Sequence, residues 1–138
     1  MSSVREQIVS EIYSTLKNQR TVKLGVVKRD PVIPDELPRT GFPALSIEST
    51  NEERTPLTST MYESIMEVEC VVYVNGGDRD RQRNEVLFAV ENKILASTEI
   101  KALVNDIFVT RIENIENGEA SPYASSRLVF SVLYCINV

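Results

Sequence analysis

Glu67 and Glu69 lie two residues apart in a segment of alternating polarity, so on a β-strand both side chains point the same way. A carboxylate pair of that kind suits general acid–base chemistry or a cation, and Glu113 is a third candidate proton carrier. A solvated strand face accounts for the same residues more simply. The chain has no His, which excludes Ser-His and Cys-His nucleophile relays, His-ligated metals and an imidazole pH switch. A metal would need all-oxygen ligation, and no D-x-[DN]-x-[DN]-G loop is present. Gly76-Gly77 precedes a helix start as a phosphate cradle would, but no G-K-[ST] follows, so a turn is the simpler reading. Arg79, Arg81 and Arg83 alternate with Asp78, Asp80 and Gln82 at that helix start, where cations oppose the helix dipole. They read either as a solvated face or as guanidinium forks for the carboxylates of a neighbouring subunit.

Whatever these residues do, they are carried by 138 residues with 15 Lys+Arg against 20 Asp+Glu, a formal net charge of −5. That length suits one domain, 1–138, and the 42% hydrophobic and 25% charged composition is that of a globular chain. The acidic balance argues against general nucleic-acid binding. The N-terminal stretch has charges within its apolar pattern and does not read as a signal peptide. Uncharged apolar runs reach about five residues, short of the roughly 18–20 that span a bilayer. Cys70 and Cys135 sit in β-patterned segments and are expected as small buried hydrophobes rather than a disulfide. No cofactor motif is found.

Val4, Ile8, Ile12 and Leu16 make a helical stripe behind an S-x-x-E capping box, Ser3 to Glu6. Residues 22–27 predict a short strand, and the three prolines between Asp30 and Pro38 predict an extended loop over about 28–41. Val32, Ile33 and Leu37 are apolar residues on that loop and are candidates for contact with another chain. A strand entered through Pro43 should run to Glu48, followed by a second long loop over about 49–60. Met66 to Val74 alternates as a half-buried strand. A helix capped by Asp78 or Asp80 should bury Val86, Leu87, Val90, Ile94 and Leu95. Strands follow at Ile107–Ile115 and Ser126–Val138, with turn chemistry at 116–119.

This order predicts an α+β fold, an antiparallel or mixed sheet with two main helices on one face. The second sheet face would then display Val71, Tyr73, Val129 and Leu133, which are apolar enough to call for association.

The layout resembles the tail terminator (tail-completion, or head-to-tail joining) proteins of long-tailed bacteriophages. The features that carry the resemblance span nearly the whole chain. They are the helix Val4–Leu16, the strand entered by Gly41-Phe42-Pro43-Ala44-Leu45-Ser46-Ile47, the long strand Met61–Val74, the helix Glu85–Ala96 and the closing strand Leu128–Tyr134. The resemblance implies a non-enzymatic virion protein, assembled in the host cytoplasm without a membrane. It would form a ring, usually a hexamer, that caps the head-proximal end of the tail tube and ends tube polymerisation. Its partners would be copies of itself, the tube protein and a head-completion or connector protein, with the sheet lining the channel and helices outside. DNA would pass through without specific binding, and Glu48, Glu52, Glu53, Glu67 and Glu69 are assigned to that channel. Neutralising them should slow DNA ejection. Two other readings fit the residues: another tail-tube or neck component, or a small-ligand binding domain or hydrolase built on Glu67/Glu69 or Glu113.

Overall fold

The computed structural model describes residues 3–115 and 121–137; the turn expected at 116–119 lies outside them. Helix α1 (Val4–Asn18) starts as its sequence dictates, with the Ser3 side chain accepting from the Glu6 amide. Only half of the capping box forms. The Glu6 carboxylate turns instead to Ser10 and to Arg29, whose Nη2 donates to it at 2.8 Å. Ile8, Val9, Ile12 and Leu16 are fully buried.

The sheet has five strands in the order β1-β2-β3-β5-β4. They are β1 (Val26–Lys28), β2 (Ala44–Pro56), β3 (Met61–Asn75), β4 (Asp106–Ile115) and β5 (Tyr123–Asn137). β1 runs parallel to β2 and every other pairing is antiparallel, so the sheet is mixed and the fold is α+β, as expected. The two main helices are present as expected, and among the described residues a short third helix joins them. α2 (Arg79–Ala96) buries Val86, Leu87, Val90 and Ile94, and the short α3 (Thr98–Leu103) buries Ile100 behind a Ser97 cap. One core joins these side chains to Leu45, Ile47, Met66, Val68, Cys70, Val72, Leu128, Phe130, Val132 and Tyr134 from one sheet face.

Several expectations are corrected. The loop expected over 49–60 is mostly strand: β2 continues to Pro56, and only 57–60 separate it from β3. Residues 52–56 pair with 62–66 beyond a register shift between Ser49 and Glu52. Their side chains are polar and largely exposed, so no hydrophobic alternation marks them. The loop over 28–41 contains two single turns, Pro34–Glu36 and Arg39–Gly41. Neither Asp caps α2 with its side chain: Asp78 takes a left-handed backbone (φ 56°), and Asp80 lies inside the first turn against Arg83. Cys70 is buried as expected, and burial pushes its thiol up to about 12, but Cys135 is exposed.

Candidate functional site

Strand parity sorts the side chains of the sheet onto two faces. Across the ladders, the face away from the core carries the rows Ser46–Val71–Arg127–Glu113, Glu48–Glu69–Val129–Arg111, and Glu53–Ile65–Leu133–Asp106. Glu67 joins Ser131 and Phe108 between them, and Glu63 pairs with Cys135 below. Among the described residues this face therefore holds seven carboxylates (Glu48, Glu53, Glu63, Glu67, Glu69, Asp106, Glu113) and three cations: Arg111, Arg127 and, at the β1 edge beside Ser46, Lys28. The balance is −4, most of the formal net charge of −5 that the whole chain carries.

Part of that charge is stitched into a ladder. Arg111 Nε donates to Glu113 at 2.6 Å and its Nη1 lies 3.7 Å from Glu67, while Arg127 reaches Glu113 at 3.1 Å and Glu69 at 3.5 Å. Arg111 first, and then Arg127, hold the Glu113 carboxyl below the usual carboxylate range. That is the opposite of what a general acid needs. Glu48, Glu53, Glu63 and Asp106 have no cationic partner among the described residues. The ladder also alters the apolar-face argument. Val129, between Glu69 and Arg111, is fully buried within the single chain, consistent with long arginine stems covering apolar surface. What remains exposed there is Phe108 at 43% and Ile65 at 40%.

Glu52 lies on the opposite face from the other four acids assigned to a channel. The register shift at Ser49/Glu52 turns Glu52 to the helix side, opposite Met66. There its carboxylate accepts from Arg54 Nε at 2.7 Å, from Arg5 Nη1 at 3.2 Å, and from the Tyr134 hydroxyl. Burial pulls its pKa upward, but the bonds from Tyr134 and Arg54 outweigh that and hold it below the ordinary value. Burial and the same carboxylate push Tyr134 up to about 12. Arg5 Nη2 also donates to the Thr50 carbonyl at 2.8 Å, so Glu52 pins α1 to the β2–β3 arm. Glu48 and Glu53 are exposed on the uncovered face, with Glu67 and Glu69 half-buried beside them.

The interface candidates divide as well. Arg83 is an internal strap: its side chain is 12% exposed and bonds the Ser125 carbonyl at 3.2 Å and Asp80 at 2.7 Å. Arg81 faces outward, 3.7 Å from Glu85, and Arg79 is half-buried. Val32 is buried in the chain itself, Leu37 is half-buried, and Ile33 is 56% exposed. A group that sequence reasoning missed lies at the opposite sheet edge. Lys17, Arg20, Lys23, Lys28 and Arg29 are all exposed around α1's last turn and β1. Its signal was present, because no acid occurs between Ile12 and Arg29. Among the described residues no group of three or more His, Cys, Asp or Glu could hold a metal ion, and no helix is long and apolar enough to cross a membrane.

No protein-family model matches this chain. No curated protein matches it in sequence. Among solved structures, one protein whose name states no function is similar over 94% of this chain and 93% of its own, at 17% identity and a TM-score of 0.48. That likeness carries no argument about function.

Proposed function

We propose that this chain is a structural, non-enzymatic ring protein of the tail-terminator kind. Copies of it, six in the hexamer the family resemblance implies, close on the head-proximal end of a phage tail tube. They end tube growth and present a surface to the head-completion protein. The observation that supports this reading is the sheet face away from the helices, which carries a balance of −4 while the main core is on the other side. Turned inward in a ring, that face makes an acidic lumen. Six copies bring 6 × −4, or −24, to a channel wall that repels phosphate and lets a duplex slide. The lumen set is Glu48, Glu53, Glu63, Glu67, Glu69, Asp106 and Glu113. Glu52 leaves it.

The test is tube growth. Tube subunits polymerised with this chain should give capped tubes that stop elongating from the covered end. Continued elongation, or incorporation of the chain along the tube wall, would contradict the proposal.

A further inference from the structure

We infer that the ring closes through its helix layer: the Phe88 face of α2 in one copy seats in the groove between α1 and β1 of the next, an assignment that rests on the ring reading above. The groove has a volume of about 240 Å³. Leu16, Val22, Leu24 and Val27 give it apolar walls, and Lys17, Arg20 and Lys23 line it as well. Val27 pairs with the core residue Leu45, so the groove lies on the helix side of the sheet. All three cations are exposed, and none has a carboxylate within ion-pair distance among the described residues. Arg20 donates to the carbonyls of Asn18 and Gln19, and Lys17 to the Tyr13 hydroxyl at 3.0 Å.

The occupant is on the same side of the sheet, at the other end of the helix layer. α1 packs on β1 and β2, and α2 on β3, β5 and β4. On α2, Lys93 and Ala96 turn towards α1, while Leu95 lines a cavity with Ile107 of β4. Phe88 precedes Leu95 by seven residues, two helical turns, so it lies on the β4 flank, away from α1. At 67% it is the most exposed large apolar side chain among the described residues. Ile112, on the helix side of β4 opposite Leu128, is 51% exposed on the same flank. Glu85 and Glu91 stand three residues before and after Phe88, on one helix face with it. Among the described residues Glu91 has no cation within ion-pair distance, and Glu85 has only the exposed Arg81 at 3.7 Å. An aromatic ring between two carboxylates thus matches an apolar groove lined by three cations, and a cavity of about 150 Å³ suffices for one benzene ring. Because the two surfaces sit at opposite ends of one layer, the contact is head-to-tail, the kind that generates rings rather than isolated pairs. It leaves the acidic sheet face free to line the lumen.

Sedimentation of the full chain over a range of concentration at low salt tests the contact. Phe88→Ala should weaken association by about 30-fold, the scale of a lost aromatic anchor. Its exposure leaves the fold intact, so it serves even if a charge set fails to fold. The set Lys17→Glu and Lys23→Glu should weaken association by about 100-fold, as like charges then meet across the contact. The set Glu85→Lys and Glu91→Lys should do the same, and both sets in one chain should restore association. A wild-type oligomer that Phe88→Ala or either set leaves intact, or that the combined chain fails to restore, overturns the contact and leaves the ring standing. Loss with Phe88→Ala but not with the lysine set would mean instead that two Phe88 faces meet each other. A wild-type chain that stays monomeric at every concentration overturns both contact and ring.

Discussion

Glu52 and Glu53 are adjacent acids with opposite fates, decided by one register shift. Glu52 is held by two arginines and a tyrosine, with its side chain 9% exposed, whereas Glu53 stands in solvent. Glu52→Ala should therefore cost about 1–3 kcal/mol, because it leaves Arg5 and the Tyr134 hydroxyl without their acceptor. Glu53→Ala should stay within about 0.5 kcal/mol. Urea denaturation midpoints check both. Glu6 supplies a pH dependence of definite sign. Its bond with Arg29, helped by Ser10, lowers it from 4.5 to about 2. A lowered carboxyl stabilises the fold above its unfolded pKa, and the gain is lost as pH falls from about 4.5 towards 2. Glu52 acts in the same direction. A Glu6→Gln and Glu52→Gln chain should lose less stability across that window than the wild type in denaturant titrations; an equal loss would contradict the assignment. The sequence showed that these positions were acidic. It did not show which face they occupy, because strand parity counts from a register and a bulge resets the count.

At the level of elements, legibility followed burial. α1, β3, α2 and β5 were readable because each presents a stripe or alternation of apolar residues to the core, and Ile12, Val68, Val90 and Phe130 are the buried members. The outer half of β2 was read as a loop because its own side chains are mostly Glu, Arg and Thr and largely exposed, although the start of β3 with which it pairs is half-buried to buried. Backbone pairing holds it, and side-chain pattern carries no trace of that. α3 escaped notice for a different reason: six residues offer a single buried position, Ile100. The same logic ranks substitutions. Phe130→Ala should cost about 3–5 kcal/mol by opening a cavity under α2. Phe88→Ala, on the outer side of the same helix and 67% exposed, should fall within about 0.5 kcal/mol. Calorimetric melting of the two variants checks the contrast, and a large loss for Phe88→Ala in the isolated chain would contradict the packing described.

For the whole molecule the governing feature is the separation of charge. A net charge of −5 said only what the chain would avoid. The fold gathers most of that imbalance on one sheet face, sets a cation-rich edge at β1, and leaves Phe108 exposed on the far edge strand. Four of the seven acids in the proposed channel set, Glu48, Glu53, Glu67 and Glu69, were assigned from the sequence, the last two as alternating acids in β3. Glu63, Asp106 and Glu113 were missed because a carboxylate joins a face only when the ladder brings its strand there. Of the proposed interface, Ile33 keeps its exposure, whereas Val32 and Arg83 are spent within the chain. The most direct measurement on this account is negative-stain imaging of the purified full chain at low salt, with mass measured on the same sample. The account predicts closed rings of about six copies around one lumen. A monodisperse monomer at every concentration, or open filaments without closed rings, would contradict it.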